Sequence, residues 1–248
     1  MFEFIIIAIA AYFLWNPVFM NTVGPFIIWK TQKIPTITKF IELGDEEFIS
    51  ERDECFRGYD LELKRLGFGV IGSSMLEDSH TKSHFRLYWH SDIQVAAMVV
   101  TMKSNVEEFT YLEFTQEYED GSVLDVNNSP QPEAYPKLNF KRMYRLPNTR
   151  STEELLKAHS KIKTILVPSA IPSEFDIELG FSVIETHLKR ESDTLVEMGL
   201  LKSNIDNDGK RPLTFRGAIA MTYRSVNPGK KIWGRINEKR TQDLLSNV

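Results

Sequence analysis

A single cysteine, Cys55, is present among the 248 residues of the chain. This excludes an internal disulfide framework, and it also excludes a zinc site of the Cys-x-x-Cys type. A phosphate-binding loop, a His-Glu-x-x-His metal motif and a Gly-x-Ser-x-Gly nucleophile elbow are missing as well. No motif implies a cofactor. These absences favour a protein that is not an enzyme, but they leave open an active site assembled from residues distant in sequence.

Charge of either sign is missing from residues 4–29. As a helix this segment extends about 39 Å, which exceeds the hydrocarbon thickness of a bilayer, about 30 Å. No Lys or Arg precedes it, whereas Lys30 and Lys33 follow, so the positive-inside rule places the rest of the chain in the cytoplasm. The sequence predicts a single-pass anchor over residues 1–30 in the inner (plasma) membrane. The apolar and interfacial residues of this anchor are Phe4, Ile5, Ile6, Ile7, Phe13, Leu14, Trp15 and Trp29.

Two other interpretations of this segment stay open. A cleaved signal peptide begins with positive charge, whereas this chain begins with Glu3. A buried core helix is compatible with the uninterrupted apolar run, which covers only the twelve residues from Phe4 to Trp15. Pro17 follows that run and would kink a membrane helix at this point.

Charge is unevenly distributed over the remaining chain. Residues 105–136 contain eight Asp and Glu but no Lys or Arg, whereas residues 210–248 contain nine Lys and Arg and only two acids. We expect one acidic surface and one basic tail, which recruit a protein partner, contact anionic lipid or dock to each other. The basic residues of interest are Lys210, Arg211, Arg216, Lys230, Lys231 and Arg235.

The periodicity of apolar residues predicts an α+β fold. After a linker at 31–44, residues 45–147 combine a helix that begins near Asp45 with an antiparallel sheet of five or six strands. Residues 94–102 are typical of a central strand, and Asp120-Gly121 marks a hairpin turn. Residues 148–248 are expected to form a helical region with a β-hairpin and the basic tail.

Capping signals divide this helical region. Ser151 opens one helix, Ser173 opens a longer helix that ends before Gly199, and Thr214 opens a third. Between the last two helices, Asp208-Gly209 predicts the turn of the β-hairpin.

Three histidines, His80, His84 and His90, crowd the stretch EDSHTKSHFRLYWHSD. They share one face of the predicted strand, but four strand residues extend about 13 Å, which is too far for two rings to bind one zinc ion. A metal site would need a ligand from a neighbouring strand, such as Glu113 or Glu117. We therefore favour a strand whose polar face carries the histidines. Its buried face is expected to carry Phe85, Leu87 and Trp89.

Residues 196–217, VEMGLLKSNIDNDGKRPLTFRG, resemble the wing of winged-helix regulators. A helix ends there at a glycine before Leu-Leu, a hairpin turns at Asp-Gly, and Leu-Thr-x-x-Gly opens the next helix. The resemblance implies that Lys210, Arg211 and Arg216 lie near DNA phosphates. The chain departs from the family pattern because no short basic recognition helix precedes the hairpin. We therefore do not expect nucleic acid to be the main partner.

A second resemblance involves residues 114–130, FTQEYEDGSVLDVNNSP. This stretch is similar to a pattern in uncharacterised bacterial membrane-anchored proteins. The resemblance implies a bacterial inner-membrane setting and no particular activity.

Three functional hypotheses follow, in order of preference. The first is a membrane-anchored, cytoplasm-facing interaction or scaffold protein whose partners are the lipid bilayer and an unidentified protein. The second is a winged-helix-like nucleic-acid-binding protein. The third is a hydrolase or metal-dependent enzyme that uses the histidine-bearing strand.

Overall fold

The computed structural model describes residues 18–78, 81–104, 107–167 and 169–246. These residues form two compact units. Unit 1 comprises the described part of residues 1–37 together with 132–136 and 189–236, and unit 2 comprises the described parts of 38–131, 137–188 and 237–248. The predicted α+β class is confirmed.

Nine strands and seven helices are found among the described residues, in addition to a helical stretch at 18–22. The strands are β1 (Lys33–Pro35), β2 (Ile41–Leu43), β3 (Gly69–Asp78), β4 (Thr81–His90), β5 (Val95–Ser104), β6 (Glu108–Glu117), β7 (Val123–Asn127), β8 (Lys141–Arg145) and β9 (Lys210–Pro212). The helices are α1 (Gly24–Thr31), α2 (Asp45–Ser50), α3 (Glu54–Arg65), α4 (Thr152–Leu166), α5 (Phe181–Glu197), α6 (Phe215–Ser225) and α7 (Gly229–Ser246).

Unit 2 is built on a seven-stranded mixed sheet with the strand order β2-β3-β4-β5-β6-β7-β8. Neighbouring strands are antiparallel except for β7 and β8, which run parallel. The apolar strand β5 lies at the centre, as predicted. At the turn between β6 and β7, Gly121 has a φ of 75° and Ser122 N donates to Asp120 Oδ1 at 2.8 Å, which confirms the predicted hairpin.

The expectation of a purely antiparallel sheet with five or six strands is wrong in two respects. Strand β2 lies within the stretch predicted as a linker, and it pairs with β3. Strand β8 is parallel to β7 because the 13 residues between them, which include Pro130, Pro132 and Pro136, carry the chain back to the start of β7. A parallel pair requires a connection of about a dozen residues or more.

The capping predictions for Ser151 and Thr214 are confirmed. Ser151 Oγ accepts a hydrogen bond from Glu154 N at 3.3 Å at the start of α4. Thr214 Oγ1 accepts from Gly217 N at 3.0 Å at the start of α6. Each hydroxyl satisfies a backbone donor of the first helical turn, which has no partner within the helix itself.

The helix predicted from Asp45 is divided into α2 and α3. The carboxylate of Asp53 accepts from Phe56 N at 2.7 Å and therefore caps a new helix start. The sequence pattern did not reveal this break because the apolar residues on both sides of it keep helical spacing.

The helix predicted to open at Ser173 begins instead at Phe181. Ser173 N donates to Glu117 O at 2.9 Å, so the chain runs alongside the end of β6 at this point. Gly180 has a φ of 50°, in the left-handed region, and reverses the chain before α5 begins. The apolar residue Ile177, which fits the helical stripe in the sequence, is consequently exposed.

Helices α3 and α4 cover one face of the sheet, here called the core face. Apolar side chains from the helices and the strands form one cluster there. On the opposite face, the Phe40 ring lies 5.0 Å from that of Phe85 and 5.0 Å from that of Phe181, and Trp89 stacks on Phe175 at 5.2 Å. Fully buried members of the core-face cluster include Phe56, Leu63, Val99, Leu112, Phe114, Leu155 and Ile162.

Unit 1 contains a second, two-stranded sheet in which β1 pairs antiparallel with β9. A bridge between Leu201 and Leu213 closes the predicted hairpin, and Gly209 at its turn has a φ of 72°. The predicted turn is therefore confirmed, whereas β9 pairs with β1 and the two arms of the predicted hairpin share an isolated bridge. Strand β1 lies in the stretch predicted as a linker and was not expected.

The predicted membrane anchor falls largely on residues that are not described. Within the parts of 18–246 that the structure describes, no helix is both long enough and apolar enough to cross a bilayer. Trp29 lies in α1 and is partly exposed. The other anchor residues, Phe4, Ile5, Ile6, Ile7, Phe13, Leu14 and Trp15, lie outside the described residues.

Candidate functional site

His84 and His90 lie on the core face of β4, so the expectation that they occupy a polar, solvent-facing side of the strand is wrong. The ring of His84 lies 6.1 Å from that of Phe48, and the ring of His90 meets that of Phe68 edge-on at 5.1 Å. The Nδ1 atoms of both histidines are buried without a hydrogen bond. Burial lowers the pKa of His84 to about 4, so this ring is neutral at pH 7.

The residues suggested as additional metal ligands do not approach these histidines. The strand register sets Glu113 opposite Met98, and Met98 opposite Leu87, so Glu113 lies on the face opposite the histidines. Glu117 shares that face and its Oε2 lies 3.2 Å from Nε2 of His187. His80 lies outside the described residues. Within the described part of the chain, no three His, Cys, Asp or Glu side chains are grouped as metal ligands.

A buried polar cluster that the sequence did not indicate lies between the two histidines on the core face. Asp60 of α3 accepts a hydrogen bond from the Tyr88 hydroxyl at 2.7 Å and from Lys64 Nζ at 2.9 Å. Arg86 Nε forms an ion pair with the same carboxylate at 3.2 Å. Burial, together with the Asp60 carboxylate, raises the pKa of Tyr88. We call Asp60, Lys64, Arg86 and Tyr88 the Asp60 cluster.

The Asp60 cluster joins α3 to β4 and does not present a reactive group. Tyr88 is fully buried, so a substrate has no access to its hydroxyl. Arg86 Nη1 donates to Ser73 Oγ at 3.0 Å, and Ser73 in turn donates to Asp45 at 2.9 Å. Because each buried charge faces an opposite charge, the cluster has a structural role.

A second group of charges lies on the opposite face, at β6, β7 and β8. Asp125 is fully buried; it accepts from Thr115 Oγ1 at 2.7 Å and lies 2.7 Å from Lys141 Nζ. Arg145, also buried, donates to Glu238 Oε1 at 2.9 Å. These pairs link three strands and α7 by opposite charges. The apolar appearance of the sequence VLDVN gave no sign of them.

The exposed acids of residues 105–131 lie near the two ends of β6. Glu107 and Glu108 lie at the start of β6, whereas Glu119 and Asp120 follow its end, and all four are exposed. Ten strand residues extend about 33 Å, so the two acidic pairs are far apart. Asp125 does not contribute, since it is buried.

The basic residues near the hairpin are partly neutralised within unit 1. Arg211 Nη1 donates to Asp193 Oδ1 at 2.7 Å and to Ser192 Oγ at 3.0 Å. The hydrogen bond from Arg211 holds the pKa of Asp193 below its usual value. Lys33 Nζ lies 2.6 Å from Asp206 Oδ2 at the turn of the hairpin. A phosphate group bound at Arg211 would therefore have to replace an existing carboxylate.

The other basic residues of interest differ in their exposure. Trp233, which follows the Lys230-Lys231 pair closely, is not free at the surface, because the Arg224 guanidinium lies 4.0 Å from its ring centroid and its Nε1 is buried. Arg216, Lys231 and Arg235 are exposed, and Lys210 and Lys230 are partly exposed.

Unit 1 exposes an apolar face where α1 and the helical residues before it run antiparallel to α6. The Tyr223 hydroxyl donates to Asn21 O at 3.4 Å near one end, and the rings of Phe26 and Phe215 lie 5.0 Å apart near the other. The exposed apolar residues of α6 recur at every fourth position and so share one side of the helix. We call six exposed apolar residues of these two helical segments the α1–α6 face: Val18, Phe26, Ile27, Phe215, Ile219 and Tyr223, which are 56, 55, 48, 39, 37 and 49% exposed.

The segments that form the α1–α6 face carry basic residues and no acids. Residues 18–31 and 215–225 contain Lys30, Arg216 and Arg224 and no Asp or Glu. Lys30 Nζ lies 4.4 Å from the ring centroid of Trp29, and that ring lies 5.8 Å from the ring of Phe215. The described residues of unit 1 contain twelve Lys and Arg against six Asp and Glu, a net charge of +6. Unit 2 has eighteen against 27, a net charge of −9.

No family model matches the chain, and no match is found among curated proteins or solved structures. The α1–α6 face differs from the paired clusters of unit 2 because it combines exposed apolar side chains with basic charge.

Proposed function

We propose that the protein is a membrane-attached interaction or scaffold protein that holds unit 2 on the cytoplasmic side of an inner (plasma) membrane. The α1–α6 face is the observation that carries this proposal. It exposes six large apolar side chains, and the chain enters it directly from the uncharged residues 4–17. Exposed apolar residues beside basic ones are typical of surfaces that bind membranes.

Membrane fractionation of cells that express the full-length chain tests the attachment. We expect the chain to sediment with membranes, to resist extraction by alkaline carbonate and to be released by detergent. Ile7→Lys combined with Leu14→Lys should abolish the carbonate resistance, because charge within an apolar segment opposes insertion. The matched control is Ile171→Lys with Ile177→Lys, which charges exposed apolar residues of unit 2. Full recovery of the unmodified chain in the soluble fraction would contradict the attachment.

The cytoplasmic location of unit 2 requires a separate test. It is supported by Lys30 and Lys33, which follow the uncharged segment. Protease added to intact spheroplasts should leave unit 2 uncut until the cells are lysed. Digestion from outside without lysis would reverse the proposed topology.

The scaffold part of the proposal requires a protein partner. The two exposed acidic pairs at the ends of β6 are candidate contacts for a basic partner surface. Crosslinking of the full-length chain in cells, followed by mass spectrometry, should enrich one protein above the background of membrane proteins. Enrichment of DNA or of one small metabolite without a protein would contradict a scaffold role.

Nucleic-acid binding is the second candidate function. One observation favours it: β1 pairs with β9 beside the bridge between Leu201 and Leu213, which resembles the small sheet of a winged-helix domain. The charges are less favourable for DNA binding. Arg211 already forms an ion pair with Asp193, and the hairpin turn carries two acids, Asp206 and Asp208. Retarded migration of duplex DNA that weakens steeply with added salt would support this candidate.

A further inference from the structure

We infer that the α1–α6 face is a preformed site for the surface of an anionic bilayer, additional to the uncharged segment before Val18. The inference rests on the proposed membrane attachment and specifies a second contact together with its lipid class. Apolar side chains of the face, including Phe26 and Ile219, enter the boundary between headgroups and acyl chains. The neighbouring basic side chains meet anionic headgroups.

The packing of α6 explains why this face is preformed. The inner side of α6 approaches the backbone so closely that a Cβ added at Gly217 would lie 2.0 Å from Leu200 O. Ala218 and Thr222 on the same side are fully buried. This contact fixes the rotation of α6 and directs its outer side chains, Phe215, Ile219 and Tyr223, away from the interior of unit 1. The exposed stripe runs over nine residues, from Phe215 to Tyr223, or about 12 Å between the first and last Cα atoms.

The basic residues near the α1–α6 face favour an anionic bilayer as its binding partner. Arg216 follows Phe215 in the chain, and Lys30 lies over the ring of Trp29, which contacts Phe215. No acid occurs in residues 18–31 or 215–225. A second copy of the same face would bring these like charges together, which opposes self-association. An anionic bilayer supplies apolar depth and negative charge in one surface, so it matches both properties of the face.

A fluorophore on the full-length chain tests the contact in lipid vesicles. Cys55, the single cysteine, is replaced by serine, and Ile219→Cys supplies a new thiol for a nitrobenzoxadiazole label. Leu61→Cys in α3 is the matched control, because Leu61 is an apolar helical residue of unit 2 that is 67% exposed. The vesicles contain phosphatidylcholine alone or with an equal amount of phosphatidylglycerol. Nitroxides attached to the lipids near the headgroup report contact by quenching.

With anionic vesicles, we expect the fluorescence emission of the label at position 219 to shift to the blue and to be quenched by the nitroxides. The emission of the label at position 61 should not change, because that label remains in water. If the protein floats with the vesicles and the label at 219 is not quenched, the site is wrong but the membrane attachment stands. A blue shift without vesicles that disappears on dilution would identify a second copy as the occupant and overturn the site. If no variant floats with vesicles, both the site and the proposed attachment are contradicted.

A charge arm of the experiment tests the lipid class. Each Lys or Arg near an anionic surface strengthens binding about fivefold, so Lys30→Gln with Arg216→Gln should weaken the quenching contact about 25-fold at low salt. The control pair is Arg57→Gln with Lys82→Gln, two exposed residues of unit 2. An equal effect of both pairs would indicate a general effect of net charge and overturn the assignment. Equal quenching in neutral and anionic vesicles would also overturn the assignment of the face to anionic lipid.

Discussion

The Tyr88 hydroxyl donates a hydrogen bond of 2.7 Å to Asp60, and both side chains are buried in the core of unit 2. The same carboxylate also faces Arg86 and Lys64. Asp60 therefore pairs with two cations, of which Arg86 also lies 3.4 Å from Asp45, while the tyrosine contributes a single hydrogen bond. Loss of the carboxylate and loss of the hydroxyl should consequently differ in their effects on stability.

Asp60→Asn should lower the free energy of unfolding by about 3 kcal/mol, because it removes the buried counter-charge of Arg86 and leaves only the half-exposed Asp45 carboxylate, 3.4 Å from Arg86 Nη1. Tyr88→Phe removes one hydrogen bond and should cost about 1.5 kcal/mol. Urea denaturation of the two variants and the unmodified chain measures both values. Equal losses would show that the carboxylate does not balance the buried cations.

His159 of α4 makes unit 2 sensitive to acid. Its side chain is 1% exposed, and its ring lies 6.3 Å from that of Phe114. Burial, followed by the nearby Lys163, lowers the pKa of His159 to about 4. The unfolded chain, with a histidine pKa of about 6.5, binds a proton that the folded chain excludes between these values. Stability is therefore fully present above about pH 6.5 and is lost as the pH falls towards 4.

Between about pH 7.5 and about pH 5 the free energy of unfolding of the unmodified chain decreases, and His159 accounts for about 2 kcal/mol of this decrease. The decrease should therefore be about 2 kcal/mol smaller in His159→Phe. Urea denaturation at the two pH values measures this difference. Ile162→Val is the control, because Ile162 is buried in the same helix and has no proton to exchange. The free energy of unfolding of Ile162→Val should be lower than that of the unmodified chain by a similar amount at both pH values. An unchanged acid sensitivity of His159→Phe would exclude this histidine as its source.

Two helical glycines should respond to alanine with opposite signs. A Cβ at Gly217 would lie 2.0 Å from Leu200 O, so Gly217→Ala must displace α6 and should cost about 1–3 kcal/mol. At Gly58 in α3 no atom lies within 4 Å of the added Cβ, so Gly58→Ala should stabilise by about 0.5–1 kcal/mol. Thermal unfolding followed by circular dichroism compares the two variants. A gain in melting temperature for Gly217→Ala would contradict the close approach of α6.

The two confirmed helix caps should differ in strength. Thr214 Oγ1 accepts from Gly217 N and also donates to Gly199 O at 2.7 Å, whereas Ser151 Oγ accepts from Glu154 N at 3.3 Å. Thr214→Ala should therefore cost about 2 kcal/mol and Ser151→Ala about 0.5–1 kcal/mol. Thr214→Ser keeps the hydroxyl and should stay close to the unmodified chain in urea denaturation. A loss for Thr214→Ser as large as that for alanine would assign the effect to the methyl group.

The features that the sequence predicted correctly depend on residues close together in the chain. The caps at Ser151 and Thr214 need only the next three residues, and the turns at Gly121 and Gly209 need only a glycine between two strands. The continuous apolar run of β5 also identified its central position, because both faces of a central strand are covered.

The features that were missed depend on contacts between distant residues. Strand β1 exists because it pairs with β9, which lies far along the chain, and β1 has no strand pattern of its own. On β4, Tyr88 and Arg86 looked like the exposed side of an alternating strand, but Asp60 satisfies both of them in the interior. Periodicity separates the two faces of a strand without showing whether a helix covers the polar one.

The sequence predicted only one of the two segments that form the candidate site. The uncharged segment that leads into α1 indicated a membrane contact, whereas the stripe of Phe215, Ile219 and Tyr223 on α6 has a spacing that is equally typical of a core helix. Which side of α6 is buried follows from the contact of Gly217 with Leu200, and that contact requires the folded chain.

The pairing of α1 with α6 also has a consequence for synthesis of the protein. About 180 residues separate the end of α1 from the start of α6, and all the strands of the seven-stranded sheet lie between them. At a translation rate of about 5–20 residues per second, α1 leaves the ribosome roughly 10–40 s before its helical partner. The sheet has time to form during this interval, whereas α1 must wait with its apolar residues uncovered. We expect early delivery of the nascent chain to a membrane to protect α1 from aggregation until α6 arrives.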